Sequence, residues 1–465
     1  AAAVPAVAQK RYELTVREAV DLAYKNVIEL KNAEADYRIQ EAKNREIFGQ
    51  ALPQLSANVQ ASRFFQVPRF PFPDATESEI YRVLKQEGIS GANGPITNVP
   101  APNIIQAQFQ QPWNLVAGPT LTQLLFQPDV FVGLQARKTA LQYSRAVIEQ
   151  TRERIKDSAY KRYYAILVAE KQAYFLAESI KRLEKLYVDD SIMFKNGFAE
   201  RLDLAKVQVQ INNLRNTQNL VNSGVQLSYA ALKFALGISQ QDTVVLKEEL
   251  TSAVLKDGLL DESFQYENRA EIRTLAKARE LQTLDLKRNR LGYLPTVSAS
   301  GNYSYNNLGQ KFFTNANNLS FPTSFVGLNI AIPIFDGLQR RYRVQQSLIN
   351  LEKVDNNITN VKQAIDFEQT FTREQLKTSL ANVDLSESNL QLAEKVYNTT
   401  KLKFEQGLGS SFEVLQADAD LQTAQANYFS ALYNSHFLLR RAFAGNSFVI
   451  CLRQHQKRRR RRSER

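Results

Sequence analysis

The sequence predicts an α+β membrane protein built from a duplicated unit, whose strands form a barrel only when several copies assemble. Three observations predict it: an internal repeat that spans most of the chain, two very long proline-free heptad segments, and stretches that alternate strictly between apolar and polar residues.

The repeat governs the rest of the reading. Asn26, Glu29, Leu52-Pro53 and Ser56-Ala57 recur as Asn268, Glu271, Leu294-Pro295 and Ser298-Ala299, at an offset of 242 residues. Gly118 and Phe126 recur as Gly327 and Phe335 at an offset of 209. Glu184-Lys185, Tyr187, Phe194 and Gly197 recur as Glu394-Lys395, Tyr397, Phe404 and Gly407 at an offset of 210. The order is kept and the offset changes mainly once, so the first copy carries 33 extra residues between Ala57 and Gly118. The copies cover 13–237 and 267–445, with 238–266 as a connector.

Within each copy a helical period gives way to a period of two and then returns. Residues 13–50 read as a helix, with Thr15 as N-cap and Glu18 three residues on in the capping-box spacing. Pro53 stops it, and Leu55, Ala57 and Val59 then alternate with Ser56, Asn58 and Gln60. The second copy repeats this with a helix near 267–292, Pro295 and the alternating run from Val297 to Tyr305. Strands are expected near 53–66, 114–125, 294–307 and 323–333. The segment 61–113, with seven of the fourteen prolines, reads as a long loop outside a barrel, and 306–322 as its shorter twin.

Residues 129–194 and 338–405 contain no proline after Pro128 and Pro333. Ile166, Ala169, Ala173, Leu176, Ile180, Leu183 and Tyr187 step by threes and fours, as do Leu351, Val354, Ile358, Val361 and Ile365. That is the spacing of coiled-coil packing, and an ordinary antiparallel bundle shows the same stripe. At 1.5 Å per residue each such helix reaches about 100 Å. The shorter helices, 13–50 and 199–236, stacked end to end would match one long one. Four strands with one apolar and one polar face are too few to close a water-filled barrel, but three chains supply twelve; a soluble half-buried sheet shows the same alternation in each strand.

Composition narrows the chemistry. No run approaches the roughly 18–20 apolar residues of a spanning helix. The single cysteine, Cys451, excludes a disulfide scaffold, and His436 and His455 have no metal-ligand spacing around them. Neither a metal nor another cofactor is expected. Nucleotide-binding, zinc-hydrolase and serine-hydrolase motifs are absent from the sequence, so an enzyme is not expected. Of the formal +12 charge, seven units come from the tail 446–465, a basic extension read as possibly non-native. Nucleic-acid binding through Lys457 to Arg462 is the weakest reading, since the body is only mildly basic. Ala6-Val7-Ala8 fits a signal-cleavage pattern, making 1–8 the remnant of a secretory leader.

The chain resembles the TolC-like outer-membrane efflux and secretion channels over roughly 9–445. The resemblance rests on Leu52-Pro53-Gln54-Leu55-Ser56-Ala57, on the run from Leu328 to Gly337, and on the helix-turn-helix run from Phe404 to Ala417. It implies a homotrimer in the outer membrane of a Gram-negative bacterium, with a 12-stranded transmembrane β-barrel continued by a 12-helix periplasmic α-barrel. Segment 238–266 would lie in a belt around the tunnel's middle. It also implies a passive exit duct serving a periplasmic adaptor (membrane fusion) protein and an inner-membrane transporter of RND, ABC or MFS type, in contact with outer-membrane lipid and with no nucleic acid.

By the same resemblance the gate lies at the periplasmic helix tips. The family's acidic pair falls on Glu413 and Gln416, so one acid is kept and the other is neutral; the first-copy counterparts are Asp203 and Lys206. A ring of three Glu413 carboxylates would favour cations and raise one another's pKa. The family's latch Arg and Tyr fall on Gly409 and Phe404, which leaves Arg201 as a substitute latch toward Glu413 or Asp203. Gly197-Phe198 and Gly407-Leu408 are the expected adaptor contacts. An extracytoplasmic coiled-coil scaffold without a pore is the alternative reading; it explains the helices but not the duplicated strands.

Overall fold

The computed structural model describes residues 10–92, 94–108, 110–248, 265–311 and 318–443. The expected leader remnant 1–8, the basic tail 446–465 and residues 249–264 of the connector lie outside them. The chain divides into two compact units, one of 1–42, 136–284 and 346–465, the other of 43–135 and 285–345.

In chain order the elements are β1 (Arg11–Leu14), α1 (Val16–Asn26), α2 (Ile28–Gln50), β2 (Gln54–Arg63), β3 (Phe70–Asp74), α3 (Thr76–Gln86) and the short pair β4 (Ser90–Gly91) and β5 (Gly94–Pro95). There follow β6 (Asn103–Ala107), β7 (Trp113–Phe126), α4 (Pro128–Lys195), α5 (Arg201–Leu236) and β8 (Thr243–Leu246). After a 3₁₀ turn at Tyr266–Asn268 come α6 (Ala270–Leu291), β9 (Thr296–Gly309), β10 (Leu319–Ala331), α7 (Gln339–Glu405) and α8 (Ser411–Phe443).

Two expectations are corrected. The stretch 13–50 is not one helix. Thr15 caps α1 and forms the capping box with Glu18, and this frees Arg11–Leu14 to pair in parallel with Thr243–Leu246. The helix then breaks at Val27, whose backbone is extended (φ −63°, ψ 123°). At the break the chain meets a segment far off in sequence: Gly237, at the left-handed C-terminus of α5, packs so close that a Cβ there would stand 2.9 Å from the Asn26 carbonyl carbon. Nor is 61–113 a bare loop. β3 pairs antiparallel with β6, and α3 is tied to the following chain by Ser78 Oγ donating to the Pro100 carbonyl at 2.7 Å and Lys85 Nζ donating to that of Thr97 at 2.9 Å.

Besides a small cluster of Val383 with Ala431 and Leu432, the helical unit is held by two large ones. One gathers Leu14, Val16, Ala19 and Val20 with Tyr163 and Ile166 of α4 and Leu232 and Leu236 of α5. The buried Tyr163 hydroxyl donates to the Leu14 carbonyl at 2.8 Å, so its polar end is satisfied inside that cluster. The other cluster joins four helices: Leu176, Ile180 and Leu183 of α4, Val207 and Ile211 of α5, Tyr397 and Phe404 of α7, and Val414, Ala417 and Leu421 of α8. The heptad stripe of α4 seen in the sequence faces these cores.

In the other unit one antiparallel sheet runs β10-β9-β7-β2. Its central pair requires a glycine, because a Cβ at Gly118 would come within 2.1 Å of the Tyr303 carbonyl oxygen and 2.5 Å of Ser304 Cα. At Gly301 in the adjacent strand the nearest atom is 3.9 Å from such a Cβ. Gly118→Ala is therefore expected to lower the thermal unfolding midpoint by several degrees, while Gly301→Ala leaves it nearly unchanged; melting curves of both variants check this.

Candidate functional site

The sheet's faces follow from its register, because directly opposed residues share a face. Leu55 lies opposite Leu121, Val59 opposite Ala117 and Ala61 opposite Leu115. Leu121 lies opposite Gly301 and Ala117 opposite Tyr305. Tyr303 faces Ser324, Ala299 faces Leu328 and Val297 faces Ile330. One face therefore carries Leu55, Ala57, Val59, Leu115, Leu121, Val297, Tyr303, Tyr305, Val326, Leu328 and Ile330 across all four strands, with Gln123, Ser324, Asn307 and Ser320 as its polar members. Most of these large side chains are open to the surroundings, Leu55 at 74% and Val326 at 89% exposed, while Leu115 and Val297 are half-buried.

The opposite face holds Ser56, Asn58, Thr120, Thr122, Ser300, Asn302, Ser304, Asn306 and Thr323, with Val116 and Phe325 among them. Its polar groups bond to one another. Asn302 Nδ2 donates to Thr120 Oγ1 at 2.8 Å, Asn306 Nδ2 donates to Thr323 Oγ1 at 2.9 Å, and the Ser304 and Thr323 hydroxyls meet at 2.9 Å. The strands are 10, 14, 14 and 13 residues long. A membrane-crossing strand needs about 9–11. Trp113 and Tyr305 lie toward one end of the apolar face, with the Arg63 guanidinium 5.2 Å from the Trp113 ring; exposed Tyr293 and Phe335 flank the other end.

In the helical unit both helix-turn-helix tips are built alike. The Gly197 N–H donates to the Phe194 carbonyl at 3.0 Å and the Phe198 N–H to that of Met193 at 2.9 Å. The Gly407 N–H donates to Phe404 at 2.9 Å and the Leu408 N–H to Lys403 at 2.9 Å. This is a double Schellman closure, and it requires the left-handed glycine conformation seen at both (φ +80° and +74°). No atom lies within 4 Å of a Cβ built at either glycine, so backbone angle alone dictates the residue. Each closure pushes an apolar residue outward: Phe198 is 83% exposed and Leu408 77%.

The other sequence-selected residues sit beside these turns. Asp203, in the first turn of α5, pairs with Lys206 at 3.3 Å, and Lys206 lies 5.6 Å from the ring of Phe412. Glu413, in the first turn of α8, is exposed; its N–H is held by the Ser410 carbonyl at 3.1 Å. Gln416 Nε2 donates to Asp420 Oδ1 at 3.1 Å. Arg201 is exposed at the start of α5 and, among the described residues, makes no ion pair with Glu413 or Asp203 within one chain.

Two buried acids near the tips escaped sequence reasoning. Asp418 of α8 is ion-paired to Arg182 of α4 (Nε to Oδ1, 2.6 Å), accepts from Ser179, and its arginine stands 5.3 Å from the Tyr397 ring of α7. Asp190 of α4 is 1% exposed, and its Oδ2 has no hydrogen-bond donor among the described residues. Burial pushes its pKa up; the Ser411 hydroxyl pulls the other way, and Asp203 and Asp189 add to the rise. Neither acid belongs to a motif, and the partners of Asp418 lie more than 230 residues away, so spacing gave no signal. Among the described residues no group of three or more His, Cys, Asp or Glu is placed to hold a metal ion.

Comparison with known proteins agrees with this architecture. Residues 265–436 match the model of the outer membrane efflux protein family. A comparison with the curated proteins finds no match. The chain superposes on the Campylobacter jejuni CmeC outer membrane channel with a TM-score of 0.70 at 16% identity, covering 92% of this chain and 85% of that one. On the Vibrio cholerae outer membrane protein VceC the TM-score is 0.69 at 14% identity, covering 92% and 96%. On the open state of the Neisseria gonorrhoeae MtrE outer membrane channel it is 0.65 at 14% identity, covering 92% and 88%. The fold is that of these channels.

The buried acid gives a pH signature. A carboxyl with a raised folded pKa contributes stability that is full below its unfolded value and is lost as pH rises through its folded value. Asp190→Asn is therefore expected to melt higher than the natural chain at pH 7, with the gap closing below the ordinary value of 3.8; thermal melts across pH 3.5–7.5 measure it.

Proposed function

We propose, for a chain that carries an outer membrane efflux protein domain and has the fold of outer-membrane channels, that it is a non-enzymatic exit duct in the outer membrane. The observation that carries this reading is the sheet with one exposed apolar face and one hydrogen-bonded polar face. In water that apolar face would need a cover; in lipid it needs none, and the polar face then lines an aqueous lumen. Backbone groups at a sheet edge cannot be left bare in lipid, so an open four-stranded sheet must be closed by others. β2 and β10 each have a single neighbour in the sheet, so three copies joined edge to edge give a 12-stranded barrel. A coiled-coil scaffold without a pore leaves the apolar face unexplained.

The helices support the same homotrimer. α5 carries exposed Leu202, Val209, Leu220, Leu227 and Phe234, separated by sevens and one eleven, and α7 carries exposed Phe371, Leu385 and Leu392. These are coiled-coil seams with no occupant among the described residues of one chain. In a trimer the four helices of the tip cluster, α4, α5, α7 and α8, become twelve and wall a periplasmic tunnel. Its constriction lies at the tips, where the ring of Glu413 selects cations, Gln416 leaves the next level neutral and Asp203 adds charge screened by Lys206. Arg201 then latches between chains, to Glu413 or Asp203 of a neighbour. Phe198 and Leu408, projected by Gly197 and Gly407, are the contacts for a periplasmic adaptor that links the duct to an inner-membrane transporter.

Single-channel recording of the purified protein in planar bilayers tests this. The expected result is a small, steady, cation-selective conductance whose selectivity falls in Glu413→Ala and whose open probability rises in Arg201→Ala. Anion selectivity, or selectivity unmoved by Glu413→Ala, would remove the gate from the tips. Absence of current from the Asp203→Ala, Glu413→Ala double variant in folded trimers would contradict the duct itself.

A further inference from the structure

Where the strands meet the helices, a cavity of about 640 Å³ opens between the start of α4, the end of α6, the end of β10 and the start of α7. Arg288, Arg340 and Arg343 line it, and Lys287, Arg290 and Arg341 flank those positions. The local acids are fewer. Asp285 pairs with Arg288 at 2.8 Å, Asp336 stands 3.5 Å from Arg340, and Asp129 lies on the wall. Arg343 donates only weakly, to Gln339 Oε1 at 3.4 Å. The three lining arginines are thus balanced by these three acids, and the local excess of positive charge comes from the flanking Lys287, Arg290 and Arg341, of which Lys287 donates to Gln135 Oε1 at 2.8 Å. The N-termini of α4 and α7 both open onto the cavity, adding the positive ends of two long helices to the same space.

Part of the border is apolar, although Gln127, Asn289 and Thr296 also line the cavity. Ile332 and Leu294 belong to the wall, and Ile334, Phe335, Tyr293 and Tyr342 stand exposed beside it. A basic pocket bordered by exposed aromatics, at the end of an apolar strand band, has the chemistry of a headgroup site at a membrane surface: arginines for a phosphate diester, aromatic and aliphatic side chains for the first methylenes below it.

We propose that this cavity binds the headgroup of an anionic phospholipid, with Arg288, Arg340 and Arg343 on the phosphodiester and the Tyr293–Phe335 side against the acyl chains. The site rests on the outer-membrane reading and places its ligand in the leaflet next to the helical part. It is separate from the helix tips and takes no part in transport; it anchors the depth at which the strands stop.

The full chain, purified in a neutral maltoside detergent, is titrated with dihexanoyl phosphatidylglycerol, dihexanoyl phosphatidylcholine and inorganic phosphate while its thermal unfolding is followed. The expected result is stabilisation by phosphatidylglycerol, half-complete at a concentration at least tenfold lower than for phosphatidylcholine, and little effect of phosphate. Arg288→Gln with Arg343→Gln should abolish the preference, and Arg288→Lys with Arg343→Lys should retain most of it. Arg343→Gln alone, which changes one exposed side chain, should weaken it about threefold and serves if the double variant does not fold. Equal action of the two lipids, a preference intact in the glutamine variants, or full reproduction of the effect by phosphate would overturn the proposal. Fractionation separates this from the reading beneath it: protein in the outer-membrane fraction without lipid preference removes only the site, whereas protein absent from that fraction removes the membrane reading as well.

Discussion

Everything in this molecule depends on a register. A one-residue slip between β2 and β7, or between β9 and β10, would send Leu55 or Val326 to the side where Asn302 and Thr120 now bond. The register is fixed from within by Gly118, the one place where the β7 backbone can approach Tyr303 and Ser304 so closely, and by the Asn and Thr ladder across the polar face. With that register the sheet has one face that water does not suit and one that lipid does not suit. In the proposed duct, lipid outside and water inside would satisfy both, and a closed ring of strands would allow it.

The helices answer a different constraint, that of turning sharply and alike at two places in a duplicated chain. The same two hydrogen bonds close both tips, and both rest on a left-handed glycine. Behind the tips the two copies are bolted together by charge as well as packing: Asp418 of one copy is buried on Arg182 and Ser179 of the other. Removing one partner of a buried pair costs about 3–5 kcal/mol because the other charge is left without compensation. This buried pair lies behind the turns beside which Glu413, Asp203 and Arg201 sit.

The local features were legible in the sequence because their physics is local. Alternation at Leu55–Gln60 and Val297–Tyr305 announces a two-faced strand, Thr15 and Glu18 announce a helix start, and Gly197 and Gly407 announce a turn. The break at Val27 was not legible, since it lies where the distant Gly237 approaches, and no pattern near residue 27 records it. Pairing of β3 with β6 was hidden by prolines that suggest a loop, yet Pro71 and Pro73 sit comfortably in a two-stranded ribbon, where every strand is an edge. Glu413, Gln416, Asp203 and Arg201 were found through likeness to a family, and the structure adds Lys206 as the partner of Asp203. Asp190, Asp418 and the arginine-lined cavity are invisible to spacing because each is assembled from distant segments.

The central claim is that the face of Leu55, Val59, Val326, Leu328 and Ile330 lies against lipid. Spin labels placed one at a time at residues 325 to 330, in a Cys451→Ser background reconstituted in vesicles, measure it through collision with oxygen and with a water-soluble nickel complex. The account predicts a period of two, with 326, 328 and 330 open to oxygen and 325, 327 and 329 open to nickel. Uniform access to nickel along all six positions, or the opposite phase, would contradict it.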